Sequence, residues 1–370
     1  MSHRVTYKPL GILLPFQRGE ITIDVDGTSV DVCLTAPSNV TVLSERYYAY
    51  GGSVTLYDIG SLIENEMRKG GTAYGDFTLA LLNTAGTVVD SCILHILYCD
   101  RYTVCTDTYT FLTENFLTTL QHRRVAPEST TSLYYFAKYG ENISAHISVH
   151  CRCPGFSKDV VSYRANLQSK TSAETGVMQL DVSLPKLKSS IATYYSVKEY
   201  SVEILYYTVN IGQRAVTCYV DPSLDSVADA FAFRNIFNVW ETAILPGVTK
   251  TKNEVERSTA VVCTRMQFYN QRVAQTYELE TGPLTSDEAE WIDQLCTSHE
   301  VMRIEPNACD DQEPLILVPV LITDSDCTAS DTDEKPVNVK FTWRFEDNRP
   351  IVRLSASPGI FTQNFNNPYC

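Results

Sequence analysis

The residue types that invite chemistry first stand together in His146-Ile-Ser-Val-His150-Cys-Arg-Cys153. Imidazole and thiolate are zinc ligands, and a site would take His150 with Cys151 or Cys153. The stretch alternates as a strand does, however. At ~3.3 Å per residue, His146 and His150 share a face about 13 Å apart, while Cys151 and Cys153 take the opposite face from His150. One ion would not collect these ligands, so the reading is an ordinary strand. Asp324, Asp326, Asp331, Asp333 and Glu334 offer oxygen ligands at close spacing. They lack the Gly and the bidentate Glu of a helix–loop–helix calcium loop, and a solvated loop between two strands is expected instead. Asp24 and Asp26 flank a turn and read the same way. A cysteine nucleophile needs a base beside it. His95 lies in the run from Cys92 to Cys99, but Ile93 and Leu97 share its face, which predicts a core histidine. His299-Glu300 lacks the second His of a zinc-protease helix, and neither phosphate-binding glycine loops nor a Gly-x-Ser-x-Gly elbow occurs. The sequons at Asn39 and Asn142 matter only in a secreted chain. The expectation is a chain with no catalytic residue, no metal and no cofactor.

Positioning elements come from a chain of 370 residues, long enough for two or three domains and several buried cores. It is 44% hydrophobic and 20% charged, the composition of a globular protein. Its formal net charge of −14 opposes generic binding to nucleic acid or anionic membrane. No apolar run is long enough to span a bilayer, so no membrane insertion is expected. The amino-terminal apolar stretch ends at Pro15, short of a signal peptide, which predicts cytoplasmic synthesis. On that basis the twelve cysteines read as reduced thiols.

Most of the sequence alternates with period two. In Val337-Asn-Val-Lys-Phe-Thr-Trp-Arg-Phe345, the apolar residues fall on one face, which predicts a strand with one buried side. Tyr200, Val202, Ile204 and Tyr206 repeat the pattern. Asn210-Ile-Gly212 turns the chain, and residues 214–220 return as a hairpin partner. Residues 21–27 and 28–34 predict a second hairpin with Asp26-Gly27 at its turn. Residues 88–99 are apolar on both faces, as in a strand covered on both sides. Two helices are predicted. One spans 58–69, with Ile59, Leu62, Ile63 and Met67 on one side and Gly70-Gly71 as its stop. The other spans 285–298, opened by the capping box Thr285-Ser-Asp-Glu288 and striped by Trp291, Ile292, Leu295 and Cys296. The fold class is therefore mainly β: two or three β-sandwich-like modules with two short helices. The expected division is an N-terminal β domain at 1–108, a connector at 109–127, a middle β domain at 128–222, a C-terminal β domain at 223–346 and an extended arm at 347–370.

Phe231-Ala-Phe-Arg-Asn-Ile-Phe-Asn-Val-Trp-Glu-Thr242 resembles a motif of tail-associated proteins of Bacteroidales prophages. In that family a strand ends in an aromatic-x-aromatic-Arg-Asn run and then reaches a Glu-Thr pair. Tyr277-Glu-Leu-Glu-Thr-Gly-Pro-Leu-Thr-Ser-Asp-Glu-Ala-Glu-Trp291 and Leu295-Cys-Thr-Ser298 are similar to the family's helix and following strand, and Phe341 to Phe345 to its last strand. Asn238 stands where the family would have Gly; Asn tolerates positive φ. The resemblance implies a structural protein of a phage tail tip or baseplate, without a catalytic site. It would assemble in rings or stacks with other tail-structure proteins or copies of itself. Phe361, Phe365 and Tyr369 of the C-terminal arm are then candidate interface anchors, to be docked on a neighbour or on the same chain. Phe231, Phe233, Phe237 and Trp240 read as core. Two other readings are a cell-surface adhesin, which would carry an export signal, and a carbohydrate-binding β-sandwich, which would show a flat aromatic platform. A glycoside hydrolase would need two carboxylates about 5–10 Å apart, a spacing that sequence does not fix.

Overall fold

Strands with one apolar face need a second layer to cover it. The computed structural model describes every residue except 1–2, 9–10, 16–19, 58, 102–106, 157–159, 225–228, 307–314, 328–336 and 348–370. It divides the chain into one unit of Met1–Ser226 with Phe233–Thr242, and another of Val227–Ala232 with Ala243–Cys370.

The first unit holds two sheet systems. The earlier one comprises β1 (Arg4–Tyr7), β2 (Ile12–Leu13), β3 (Ile21–Asp24), β4 (Ser29–Thr35), β5 (Thr41–Tyr48), β6 (Ser53–Leu56), helix α1 (Gly60–Gly70), β7 (Tyr74–Leu82) and β8 (Val88–Leu97). Its sheets run β1-β3-β6 and β2-β8-β7-β4-β5. Ile21, Ile23, Val30, Val32 and Leu34 share one core, into which α1 sets Ile63 and Met67. Residues 21–34 do not form the expected hairpin. β3 pairs with β1 and β6, and β4 pairs with β5 and β7. The bend at Gly27, with φ 123°, carries the chain from one sheet to the other. Both strands have an apolar face to bury, and facing each other across a core buries both. β8 is covered on one side only, since Leu94 and Ile96 are buried while Val88 and Ile93 are about half exposed.

The later system comprises α2 (Thr108–Glu114), β9 (His122–Val125), β10 (Thr130–Ala137), β11 (Asn142–Arg152), β12 (Val161–Thr171), β13 (Gly176–Ser183), α3 (Leu184–Tyr195), β14 (Glu203–Ile211) and β15 (Arg214–Val220). A five-stranded sheet, β12-β11-β14-β15-β9, shares a core with the β10-β13 pair. The predicted hairpin at Gly212 is present as β14 and β15. Its phase slips, however: a bulge opposite His150 and Cys151 buries Tyr207, Val209 and Ile211 and leaves Tyr206 off the core, while Tyr200 lies exposed in a 3-10 turn, Glu199–Ser201, ahead of the strand. Among the described residues there are four α-helices, not two. α2, capped by the Asp107 carboxylate, is too short to show a 3.6-residue period. α3 hides its Leu184, Leu187 and Ile191 stripe among Ser, Thr and Tyr. The segment 109–127 thus contains most of α2 and a strand, β9, parallel to β15.

The second unit is built on a seven-stranded sheet of order β17-β16-β20-β21-β22-β19-β18. Its strands are β16 (Ala230–Arg234), β17 (Trp240–Ile244), β18 (Val248–Val262), β19 (Arg265–Glu280), β20 (Val301–Pro306), β21 (Leu315–Asp326) and β22 (Lys340–Phe345), with α4 (Ser286–Thr297) between β19 and β20. Strands β16 and β17 are divided between the two units. The capping box of α4 is formed in full: the Thr285 hydroxyl accepts from the Glu288 N–H, and the Glu288 carboxylate accepts from the Thr285 N–H. The β22 alternation holds, with Phe341, Trp343 and Phe345 buried. Among the described residues, no helix is long and apolar enough to cross a membrane.

Candidate functional site

The inner face of the seven-stranded sheet is aromatic. Trp343 stacks on Tyr277 with ring centroids 4.2 Å apart and meets Phe231 and Phe345 edge-on. Arg303 lies over the Trp343 ring at 4.8 Å. Its charge is balanced by Asp229 at 3.0 Å and Glu305 at 2.7 Å, and the Thr249 hydroxyl donates to the same Asp229 oxygen. A cation is tolerable there because both carboxylates are paired with it.

This face does not end where the core ends. β18 and β19 pair over their full length, but β22 accompanies β19 only from Tyr277 to Glu280. Beyond that point residues Lys252–Val262 and Arg265–Thr276 continue as a two-stranded ribbon, about 36 Å long at ~3.3 Å per residue. Its sequence is rich in Val and Thr, which suit pleated backbone. At its root, Gly247 is required by close approach: a Cβ there would lie 2.5 Å from the Glu280 carbonyl oxygen. At its tip, Cys263 and Thr264 form a two-residue turn with φ 49° and 70°, a geometry more usual for Asn-Gly.

The two faces of the ribbon differ. Cross-strand register puts Val255 opposite Val273 and Val261 opposite Met266 on the face continuous with Tyr277. The bulge between Ser258 and Thr259 makes Thr259 face Phe268, so Phe268 and Met266 join that same face. The other face carries Glu254, Glu256, Arg272, Ser258 and Asn270. Phe268 is 62% exposed and Met266 73%, with the Arg257 guanidinium 5.2 Å above the Phe268 ring. That face alternates these apolar rungs with polar ones, Asn253 opposite Gln275 and Arg257 opposite Gln271, and the described residues leave it uncovered. A two-stranded hairpin is marginal alone in water and gains stability when an apolar partner covers it. With exposed apolar surface and no cluster of titratable groups on that face, the arrangement can bind protein surface.

In the first unit, the Phe233–Thr242 stretch forms a clasp. Asn238 has φ 58°, so it occupies the left-handed turn position anticipated for it. Its amide donates to the Met67 and Thr72 carbonyls at 3.2 and 3.0 Å. The Asn235 amide donates to Leu117 O and to Glu241, whose carboxylate lies 3.8 Å from the buried Arg123 guanidinium. Phe231, Phe233 and Phe237 are core residues as expected, while Trp240 is half-buried under Arg234.

The other sequence-derived candidates are scattered. Phe361, Phe365 and Tyr369 lie outside the described residues, as do Asp331, Asp333 and Glu334. His146 hydrogen-bonds Ser144 and His150 stacks on Tyr206, each on an ordinary strand. Cys151 and Cys153 are buried, their sulfurs 3.9 Å apart, and burial with the neighbouring thiol pushes Cys151 up to about 12. Among the described residues, no three His, Cys, Asp or Glu side chains gather as metal ligands. His95 is not in the core. It is half exposed and pairs with Asp76 at 2.7 Å, because its face of β8 looks outward. A cleft of about 410 Å³ lined in part by Tyr74, Tyr134, Glu174 and Arg234 has one carboxylate in its lining, not the pair that glycoside hydrolysis uses. The ribbon itself is what sequence reasoning missed. Its signal was a pair of long, β-compatible segments, 248–262 and 265–280, with polar residues on both sides of the alternation.

No family model matches the chain, and no curated protein does. Solved structures similar to it include Escherichia coli alpha-2-macroglobulin in its native conformation, at 8% identity and a TM-score of 0.20, covering 75% of this chain and 21% of that one. The trypsin-activated form of the same protein is 10% identical with a TM-score of 0.20, covering 75% and 22%. The chain spans about a fifth of the length of those proteins. A likeness of that degree says nothing about function.

Proposed function

We propose that this chain is a non-enzymatic assembly protein that works through protein–protein contact, as a component of a phage tail or baseplate. The observation that carries the reading is the ribbon of β18 and β19, which beyond the polar Asn253–Gln275 rung sets apolar side chains in solvent on the same side as the inner face of the sheet. Val255, Val261, Met266, Phe268 and Val273 occupy one side of a narrow projection, which suits insertion against another folded surface. The tail assignment rests on the resemblance of residues 225–346, and the ribbon supports it as a means of joining subunits.

The test removes the ribbon and keeps its root. Residues 252–276 are replaced by Asn-Gly, joining Thr251 to Tyr277 where β22 still supports β19. The shortened chain is expected to fold, yet to be missing from particles formed on co-expression with the products of neighbouring genes. Equal incorporation of the shortened and intact chains, seen by imaging and mass analysis of the particles, overturns the reading.

A further inference from the structure

Two cysteines of the second unit, distant in sequence, meet in the fold. Cys296 lies in α4, directly after Leu295 and one turn after Ile292. Ile292 and Leu295 are buried, and residues four apart share a helix face, so Cys296 belongs to the packed side. α4 lies against β21. On β21 the bulge after Ile322 resets the alternation, with Ile322 opposite Trp343 and Ser325 opposite Phe341. Both rings are on the buried face of β22. Cys327, two residues past Ser325, keeps to that face. Helix stripe and strand register therefore converge, and the two thiols hydrogen-bond one another. Both are free and half-buried.

The pair differs from the thiols of β11. Cys151 and Cys153 have sulfurs 3.9 Å apart, but they stand two residues apart in one buried stretch. A bond there would join near neighbours and fasten no second element. Cys296 and Cys327 belong to different elements, so a bond would fasten the C-terminal turn of α4 to the end of β21. The two sulfurs are also unlike in charge. The hydrogen bond to Cys327, and then burial, hold the proton on Cys296. The same hydrogen bond holds Cys327 below the ordinary thiol range, against its burial and the nearby Asp293 and Asp326 carboxylates. Thiolate character marks the attacking sulfur.

We propose that Cys296 and Cys327 form a dithiol–disulfide site whose oxidant is a low-molecular-weight disulfide such as oxidised glutathione. The Cys327 thiolate attacks one sulfur of the reagent, forming a mixed disulfide and releasing one glutathione thiolate. Cys296 then loses its proton to solvent, attacks the Cys327 sulfur and expels the second glutathione thiolate. Two protein thiols and one oxidised glutathione become one protein disulfide and two glutathione thiols. The closed loop contains β20 and β21, and it restricts the unfolded chain more than the folded one. The site is independent of the ribbon, which projects from the other end of the sheet.

The test uses the purified intact chain, incubated with oxidised glutathione at about pH 8, alkylated and digested without reduction. Trypsin together with an aspartate-specific protease places Cys296, Cys309 and Cys327 in three different peptides. The expected product is the Cys296 peptide linked to the Cys327 peptide, separated again by dithiothreitol. Oxidation should slow amide exchange in α4 at least about tenfold, and reduction should restore it. Cys296→Ser should accumulate glutathione on Cys327. Cys327→Ser should take it up on Cys296 at least about tenfold more slowly. The linked peptide is read in the intact chain, so the main result does not depend on either variant folding. Peptides that stay unlinked overturn the disulfide. A linked chain with unchanged exchange in α4 overturns its fastening role. Glutathione appearing on Cys296 as fast as on Cys327 overturns the order of attack.

Discussion

β11 with β12 and β18 with β19 are both long antiparallel pairs interrupted by one bulge, in the same chain. In the first, Ile143, Ala145, Ile147, Val149 and Cys151 are at most 2% exposed, because β10, β13 and α3 supply the other side of the core. In the second, a face of similar length, whose Val255–Val273, Thr259–Phe268 and Val261–Met266 rungs are interrupted by Asn253–Gln275 and Arg257–Gln271, meets no cover among the described residues. Backbone pairing is equally complete in both. Hydrogen bonding therefore makes the strand pair, and burial decides whether its apolar face contributes to the stability of this chain or waits for another.

That difference can be broken or sharpened by measurement, beginning with the largest effect. Trp343→Ala removes the ring at the root of the ribbon that stacks on Tyr277 and carries Arg303, and should cost about 3–5 kcal/mol in urea unfolding. Ile147→Ala in β11, fully buried, should cost about 2–5 kcal/mol. Glu241→Ala leaves Arg123 buried without its carboxylate and should cost about 3 kcal/mol, so the intact clasp is expected to unfold cooperatively with its unit. Replacing Cys263-Thr264 with Asn-Gly relieves two left-handed non-glycine residues. It should stabilise the ribbon by about 1 kcal/mol, read as slower amide exchange at Val261 and Met266. Phe268→Ala should change the stability of the isolated chain by less than about 0.5 kcal/mol; a loss as large as that of Ile147→Ala would mean that the ribbon is already covered.

Thiol chemistry draws the same contrast. Cys263 is exposed at the ribbon tip, whereas Cys151 is buried in β11 with its thiol pushed up to about 12 from an ordinary 9.0. Iodoacetamide at pH 8 should label Cys263 in the folded protein and Cys151 only after unfolding, as peptide mass analysis would show. The sign for stability follows. The folded state keeps the Cys151 proton longer than the unfolded chain does, so its contribution is complete below pH 9 and is lost as pH rises from 9 towards 12.

Legibility in the sequence followed how local the signal was. α4 could be read because Thr285 and Glu288 satisfy each other within one turn, and β22 because Phe341, Trp343 and Phe345 alternate without interruption. Asn238 was legible as a left-handed position because its side chain suits that geometry. The bend at Gly27 looked like a hairpin because turn chemistry is the same whether the next strand pairs or crosses to another sheet. The β14 slip depends on a bulge that only the partner strand reveals. The ribbon was illegible for a related reason: the bulge at Thr259 moves Phe268 and Met266 onto the face of Val273, so a strict period of two hides the apolar stripe.

The clasp has a consequence for how this gene can be cut. The chain leaves its first unit after Ser226, returns to it for Phe233–Thr242 and leaves again. A recombinant fragment ending at 226 would lack Asn235, Asn238 and Glu241, taking a side-chain donor from the Met67 and Thr72 carbonyls and the facing carboxylate from the buried Arg123 guanidinium. Shuffling this protein by single-crossover exchange should therefore yield insoluble products, and a workable N-terminal cassette has to carry its borrowed decapeptide through residue 242.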